Sequence, residues 1–330
     1  MSGDADERMA GRAFMADRSS ALAYAALTTA AVVWGGSIVG QKMALGSFSA
    51  VEVSVFRGIG ALFILIPLWW WQEGKKPALS LKDLAVLSAL GLGVLGNHLL
   101  TLFGLRYIDA SAAGVIIGAS PVVTAFLSSL LIRDVPFRTV LPGCAVSFTG
   151  VALVSGMSAT GVEGERPWLG GALVILGLVS WALYTVGSRR IMQRLSPLTI
   201  NWTTLCFSML LQIPLLWTDN RMIADGIETV PASGWLALLY LIVFATALGQ
   251  QAWLLGVRGV GPSRAGVFVN LIPVSALAFA AVVLGDRIGI RDLMGILLIL
   301  AGVWLVNKPG LVMNVVARRL RLKPSGSQEA

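Results

Sequence analysis

The second half of this 330-residue chain repeats its first half, and the two copies must be inverted relative to each other. Residues 102–154 align without a gap to residues 254–306, and 16 of the 53 aligned positions are identical. Each half also holds five apolar segments long enough to cross a bilayer. An odd number of crossings places the start of the second copy on the opposite membrane face, and inverted repeats of this kind are typical of secondary transporters.

A membrane-spanning helix needs about 20 mostly apolar residues, and ten segments of this chain qualify. Only 13% of the residues are charged and 56% are hydrophobic, whereas soluble domains carry about 25% charged residues. We therefore predict an all-α integral membrane protein with ten transmembrane helices, arranged as two inverted five-helix repeats around a central cavity. The predicted spans are 21–41, 50–71, 84–104, 110–131, 138–156, 168–188, 198–217, 235–256, 263–284 and 290–307.

Polar segments divide the chain further, and basic residues predict its orientation. If the N-terminus is cytoplasmic, the inner loops and tails hold 18 Lys and Arg residues, and the outer loops hold six. This positive-inside bias predicts that both termini are cytoplasmic. The predicted regions are a cytoplasmic N-terminal tail (1–18), a first five-helix repeat (19–157), a linker (158–167), a second five-helix repeat (168–308) and a basic cytoplasmic C-terminal tail (309–330).

The sequence lacks the motifs of common enzymes and ATP-driven pumps. It contains no Walker A phosphate-binding loop, no HExxH zinc motif and no G-x-S-x-G nucleophile elbow. A single histidine excludes a multi-histidine metal centre, and both cysteines lie in apolar segments. We therefore predict that the protein is not an enzyme and has no cofactor and no metal site. Its basic residues flank membrane helices, so we expect them to set topology rather than to bind nucleic acid.

Polar side chains in the middle of membrane spans indicate a substrate pathway, because lipid offers them no partners. Asn97, His98 and Thr101 cluster in the third span, and the equivalent eighth span carries Gln250 and Trp253. Related helices of inverted repeats meet near the midplane, so we expect both clusters to face one central cavity. Hydrogen bonding that only holds the helices together would explain the same residues.

Prolines and aromatic residues within the spans extend the candidate set. Pro121 and Pro273 are predicted helix breaks in the fourth and ninth spans, with Ser120 and Asn270 close by. Such breaks often line a pathway, although purely structural kinks are the alternative. Aromatic side chains are expected to form the apolar cavity walls unless they belong to interfacial belts. These wall residues are Trp34, Trp181, Tyr184 and Trp253.

Few titratable residues remain inside the spans. His98 is the candidate proton carrier, because a free histidine titrates near neutral pH, and a hydrogen-bonded core histidine is the alternative. Glu52 and Arg57 lie in the outer part of the second span, with Lys42 across a short turn, and are predicted to form an outer gate. No carboxylate is expected at mid-membrane, which weakens any mechanism based on an Asp or Glu proton relay.

A resemblance to a known family is carried by Trp34-Gly35, Arg57, and the matching separations of Pro121 from Asp134 and of Pro273 from Asp286. With these features the chain resembles the drug/metabolite transporter superfamily and, within it, the ten-span EamA-type exporters. The likeness covers about residues 20–308, and family members usually carry Glu where this chain carries Asp after the fourth and ninth spans. The resemblance implies two five-helix halves around a cavity that alternates between the membrane faces. Among the members of the superfamily, the chain looks most like the bacterial exporters of aromatic amino acids.

We therefore predict a bacterial inner-membrane secondary transporter that exports small amphipathic metabolites, including aromatic amino acids, by alternating access. Its predicted partners are a small-molecule substrate and the lipid bilayer, and a monomer is the working hypothesis. The alternative is a proton-coupled antiporter of lipophilic cations or drugs, whose titratable group would be His98 or a displaced Glu52. A membrane-embedded enzyme, a channel or a scaffold is less favoured, because clustered catalytic groups are lacking and proline-broken inverted repeats favour a carrier.

Overall fold

The chain folds as an all-helical membrane protein with two repeats of five helices, which confirms the predicted fold class. Among the residues that the structure describes, eight helices are long and apolar enough to cross a membrane, and Ile116–Leu131 and Phe137–Leu153 are shorter apolar helices. The computed structural model describes residues 2–74, 79–104, 107, 116–154, 166–284 and 289–307. Outside these described residues lie 158–165 of the predicted linker and the predicted C-terminal tail 309–330.

In the described part of the chain, ten principal helices, numbered in chain order, make up the two repeats. The backbone of residues 2–18, the predicted N-terminal tail, continues the first helix. The first repeat consists of α1 (Ser2–Ala44), α2 (Ala50–Glu73), α3 (Leu81–Gly104), α4 (Ser120–Leu131) and α5 (Phe137–Val154). The second consists of α6 (Pro167–Ile191), α7 (Pro197–Gln212), α8 (Ala232–Val260), α9 (Pro262–Gly266, Val267–Asn270 and Leu271–Leu284) and α10 (Ile290–Asn307). Short helical turns at Ile213–Trp217, Arg221–Asp225 and Ile227–Thr229 lie between α7 and α8.

Helix α2 shows how local sequence sets the helix ends. Ser49 caps its N-terminus, where the Ser49 hydroxyl accepts a hydrogen bond from the Glu52 amide. The Glu52 carboxylate accepts one from the Ser49 amide in return, so two otherwise unpaired backbone donors are satisfied. The helix ends at Gly74, which adopts a left-handed conformation with φ of 56°, a conformation that glycine reaches without steric cost.

Helix α8 is irregular at its centre, a feature that the sequence analysis did not predict. The segments Ala232–Tyr240 and Gln250–Val260 are α-helical, but the nine residues Leu241–Gly249 between them form a π-helix. π-Helical turns are rare and occur frequently at functional sites, because they widen the helix and redirect its carbonyl groups. The repeat-equivalent helix α3 is a regular α-helix throughout Leu81–Gly104.

The packing of α5 against α10 shows the inversion of the two repeats directly. A Cβ atom built on Gly143 would lie 2.9 Å from the Gly302 carbonyl oxygen, and one on Gly302 would lie 2.6 Å from the Gly143 carbonyl oxygen. A Cβ on Gly150 would likewise lie 2.6 Å from the Gly295 carbonyl oxygen. Gly143 is equivalent to Gly295 in the repeat, and Gly150 to Gly302. These reciprocal contacts place a pseudo-two-fold axis between the two helices.

The two repeats exchange their first helices instead of forming two separate bundles. Helix α1 packs against α8 and α9 of the second repeat, and α6 packs against α3 and α4 of the first repeat. The exchange surrounds a common centre with helices from both halves. Helices α5 and α10 pair with each other and contribute no residue to the cavity described below.

Candidate functional site

A cavity with a volume of about 300 Å³ lies between helices of both repeats. Its lining comes from α1, α2, α3 and α6, from α4 and the helical turn before it, and from α8 and α9. Seven of the residues predicted from the sequence to contact substrate lie on its wall: Trp34, Asn97, His98, Thr101, Ser120, Trp181 and Gln250. Arg57, predicted as part of an outer gate, also lies on the cavity wall.

Three of the predicted cavity residues lie behind the wall. Trp253 and Tyr184 are 1% and 0% exposed, and neither lines the cavity. The Trp253 indole nitrogen donates a hydrogen bond to Thr185 Oγ1 at 3.3 Å, and Asn270 donates to Ser147 Oγ at 2.8 Å. These three side chains contact neighbouring helices.

An aromatic cluster forms one end of the cavity. The rings of Trp34 and Trp181 pack edge to face at 5.5 Å, and the Trp253 ring lies 5.4 Å from Trp34 and 5.7 Å from Trp181. Tyr184 extends the cluster, with its ring 5.3 Å from that of Trp181. Trp34 and Trp181 occupy equivalent positions in the first helices of the two repeats and present their surfaces to the cavity. Trp253 and Tyr184 support these two rings from behind.

The amide side chains of the cavity are held by hydrogen bonds to α6. Asn97 Nδ2 donates to the Gly177 carbonyl oxygen at 3.1 Å, and Gln250 Nε2 donates to the Tyr184 hydroxyl at 3.0 Å. Ser120 is 2% exposed, and its hydroxyl oxygen has no hydrogen-bond partner among the described residues. A buried polar atom without a partner is rare in folded proteins. Ser120 is therefore a polar group available to a molecule in the cavity.

The charge inside the cavity comes from Arg57. Its Nε donates a hydrogen bond to Thr246 Oγ1 at 2.9 Å, and Thr246 belongs to the π-helical segment of α8. None of the described residues that line the cavity is Asp or Glu. The cavity wall therefore carries one permanent positive charge and many neutral polar groups.

The other two members of the predicted outer gate are Glu52 and Lys42, and Glu52 is not among the described residues that line the cavity. The Glu52 carboxylate accepts hydrogen bonds from the amides of Ser49 and Met222, at 2.7 and 3.0 Å, and so joins the start of α2 to the α7–α8 connection. The side chain of Lys42 lies outside the described residues. Glu52 thus stabilises the N-terminal end of α2, whereas Arg57, further along the same helix, lines the cavity.

The helix breaks predicted at the two prolines occur beside the cavity. Pro121 follows a turn at Ala119 and lies in the first turn of the segment Ser120–Leu131. Pro273 follows the 3₁₀ segment Val267–Asn270 and lies in the first turn of Leu271–Leu284. Proline has no amide hydrogen, so it is tolerated at the first turn of a new segment. Each proline therefore begins a helical segment and does not bend the middle of one.

Sequence reasoning missed three polar residues of the cavity wall. Ser37 and Gln41 follow Trp34 on α1, and Ser54 precedes Arg57 on α2. The spacing of Trp34, Ser37 and Gln41 at i, i+3 and i+7 places them on one helix face, and this signal could have identified them. Ser54 donates a hydrogen bond to Gln212 Oε1 at 2.6 Å, a contact with α7 that only the tertiary structure brings about.

The cavity extends toward one membrane face, the face of the α1–α2 connection. Leu45 and Ala50, on either side of that connection, belong to its lining, and the charge count predicts this face to be external. At the opposite face, Asp134 after α4 accepts a hydrogen bond from the Ser263 amide at the start of α9, at 3.1 Å. Arg189 and Arg190 at the end of α6 donate to the carbonyl oxygens of Arg258 and Leu131. The cavity lining thus reaches the α1–α2 connection, whereas hydrogen bonds join the helix ends at the opposite face.

Comparisons with known proteins agree with this architecture. The chain matches the EamA-like transporter family over residues 21–156 and 168–308, one match for each repeat. It is 27% identical to the uncharacterized transporter YyaM of Bacillus subtilis, over 85% of this chain and 92% of the relative. It is 25% identical to the uncharacterized inner membrane transporter YedA of Escherichia coli K12, over 81% of this chain and 82% of the relative.

A solved crystal structure shares the fold, with a TM-score of 0.71 at 16% sequence identity. The match covers 92% of this chain and 99% of the other. Two inverted five-helix repeats, a cavity shared between them and a family match to each repeat lead to one conclusion. The chain is a multi-pass membrane transporter of the EamA-like family.

Proposed function

We propose that this transporter exports small amphipathic metabolites, including aromatic amino acids, across a bacterial inner membrane by alternating access. The cavity combines an aromatic wall of Trp34 and Trp181 with amide and hydroxyl groups and one arginine. Such a lining suits a ligand that has both an apolar body and a polar head group. A volume of about 300 Å³ lies at the lower end of the range for ligand pockets, so the proposal concerns small molecules.

The charge of the cavity is the observation that carries this proposal over its alternative. An antiporter of lipophilic cations needs an acidic or titratable group that attracts the cation. Here the described lining residues include Arg57 and His98 but no carboxylate, so none of them carries a negative charge that attracts a cation. A fixed guanidinium also repels a cation in the poorly screened interior of a membrane protein. A zwitterionic amino acid has no net charge and presents a carboxylate to the arginine.

Counterflow in proteoliposomes tests the proposal. Purified protein is reconstituted with unlabelled phenylalanine inside, and uptake of labelled phenylalanine is measured against a panel of amino acids and tetraphenylphosphonium. We expect saturable counterflow that aromatic amino acids inhibit and the cation does not. Flux that is driven by a pH gradient and carries the cation would support the antiporter instead, and non-saturable flux without counterflow would indicate a channel.

Three variants test whether the cavity carries the flux. Asn97→Ala, Gln250→Ala and Trp181→Ala each remove one predicted substrate contact from a different helix. We expect each to lower the counterflow rate by about tenfold, since a polar or aromatic contact to a bound ligand contributes roughly 1–1.5 kcal/mol. An unchanged size-exclusion profile of the purified variants and equal amounts of protein in the proteoliposomes control for folding and insertion. Unchanged flux in all three variants would reject the cavity as the transport site.

A further inference from the structure

Arg57 is an unusual residue for the interior of a membrane protein. It lies in α2, seven residues after the helix begins at Ala50, and its side chain lines the cavity together with Asn97 and His98. Charged side chains within membrane spans are costly and are normally paired or exposed to a water-filled cavity. A role for Arg57 must therefore account for this cost.

One hydrogen bond holds the Arg57 side chain in place. Its Nε donates to Thr246 Oγ1 at 2.9 Å, and the Thr246 hydroxyl donates in turn to the Leu241 carbonyl oxygen at 2.8 Å. Thr246 is 1% exposed, so this tether is shielded from competing water. In the part of the chain that the structure describes, the bond to Thr246 is the one hydrogen bond made by the guanidinium.

The tether leaves most of the guanidinium for another partner. An arginine side chain has five N–H donors, and Nε provides one of them. The four donors on Nη1 and Nη2 form the planar end that binds carboxylates through two parallel hydrogen bonds. None of the described lining residues is acidic. At the membrane interface, by contrast, Arg194 pairs with Asp83 at 2.9 Å although its side chain is 62% exposed.

We propose that Arg57 binds the carboxylate group of the transported molecule, so that this protein selects carboxylates over neutral and cationic analogues. This inference rests on the proposed function, because it assigns the substrate class of the same cavity. A carboxylate supplies the negative charge that the lining lacks and accepts the two hydrogen bonds that the guanidinium can donate. The rings of Trp34 and Trp181, on the same wall, then contact the apolar part of the ligand.

A purely structural role is the competing explanation. In that case Arg57 would serve only to join α2 to α8 through Thr246. Both explanations predict that loss of Arg57 lowers transport, so a rate alone does not separate them. Only carboxylate binding predicts that the preference between an acid and its neutral amide changes.

Two matched probes measure this preference. 3-Phenylpropionate and 3-phenylpropanamide have the same apolar body and differ in the carboxylate alone. Their affinities are measured by thermal stabilisation of the purified protein and by inhibition of phenylalanine counterflow. For the natural protein we expect the acid to bind about tenfold more tightly or better, as for a hydrogen-bonded charge pair. In Arg57→Gln the ratio of the two affinities should fall to about one.

Two further variants control the result. Arg57→Lys keeps the charge but loses the paired donors, so we expect a reduced preference for the acid. Arg221→Gln makes the same change as Arg57→Gln at an exposed arginine paired with Asp225, and it should keep the ratio of the natural protein. If Arg57→Gln does not fold, Arg57→Lys decides the question, and an unchanged acid-to-amide ratio there would overturn the proposal.

The two proposals fail in different ways. If phenylalanine is not transported but the acid still binds better than the amide in an Arg57-dependent manner, the proposed function is wrong and the carboxylate site stands. If phenylalanine is transported while both probes bind equally, or neither binds, the carboxylate site is wrong. Retention of the full preference in Arg57→Gln would also overturn it.

Discussion

The α5–α10 pair and the α3–α8 pair consist of repeat-equivalent helices, but only the first pair is symmetric. In α5 and α10, glycines at equivalent positions contact each other reciprocally. In the second pair, α3 is regular and α8 contains the π-helical segment Leu241–Gly249. The symmetric pair lies away from the cavity, whereas both α3 and α8 line it.

The asymmetry of α3 and α8 changes which groups reach the centre. Within the π-helical segment, the Ala245 carbonyl oxygen accepts a hydrogen bond from Trp34 Nε1 at 2.9 Å, and Thr246 accepts the one from Arg57. Both contacts join first-repeat helices to α8. The backbones of the two repeats thus differ beside the cavity, at α3 and α8. In the symmetric pair, α5 and α10, equivalent residues still make equivalent contacts.

The largest effect is expected when the symmetric pair is broken. A Cβ atom at Gly302 would lie 2.5 Å from both Cβ and the amide nitrogen of Ser147, so Gly302→Ala requires the two helices to move apart. Overpacking of this kind costs about 1–3 kcal/mol, and we expect a lower midpoint of thermal unfolding in detergent. Gly171→Ala is the control, because its Cβ would lie 3.8 Å from the nearest atom, Ile116 Cδ1. Equal midpoints for both variants would contradict the packing argument.

A smaller effect is expected when the asymmetric pair loses its bond to α1. Trp34→Phe keeps an aromatic ring but removes the donor to the Ala245 carbonyl oxygen. The loss of one hydrogen bond of about 1 kcal/mol should lower phenylalanine counterflow by about fivefold. Trp181→Phe, at the repeat-equivalent position, should lower counterflow less, because the contacts of Trp181 with described residues are ring contacts. Equal losses would show that the two tryptophans act alike despite the π-helix.

The smallest effect is expected where Asp134 contacts α9, at the face that the charge count predicts to be internal. Asp134→Asn removes the negative charge beside the first turn of α9, where the carboxylate accepts the Ser263 amide hydrogen. Charge at a helix N-terminus contributes about 0.3–1 kcal/mol, so opening of this face should become about two- to fivefold more frequent.

The measurement is the rate at which a thiol reagent labels the variant Thr124→Cys, in a background with Cys144 and Cys206 replaced by Ser. Thr124 packs against Gly266. Asp225→Asn, at an exposed ion pair, is the control and should leave the rate unchanged, and equal rates for both variants would contradict the role of Asp134.

Sequence reasoning located much of the cavity, because polar residues in apolar segments are informative. Asn97, His98 and Gln250 were selected on that ground, and the structure places all three on the cavity wall. The same reasoning could not separate Trp181 from Trp253, since both are tryptophans deep in a span. Trp253 lies behind the wall because the orientation of α8 turns it toward Thr185 on α6.

That the chain crosses a membrane in two inverted repeats could be inferred without any coordinates, because apolar length, an odd number of spans and repeated residues are properties of the linear order. The three-dimensional packing was needed to tell which of the candidate side chains line the cavity and which lie behind its wall. Arg57 was assigned by sequence to an outer gate, and only the packing of α2 against α8 brought it to Thr246 and the cavity wall. The physical reason is that the face each helix turns toward the cavity, and the π-helical segment of α8, depend on contacts between segments far apart in the sequence. A sequence pattern does not show those contacts.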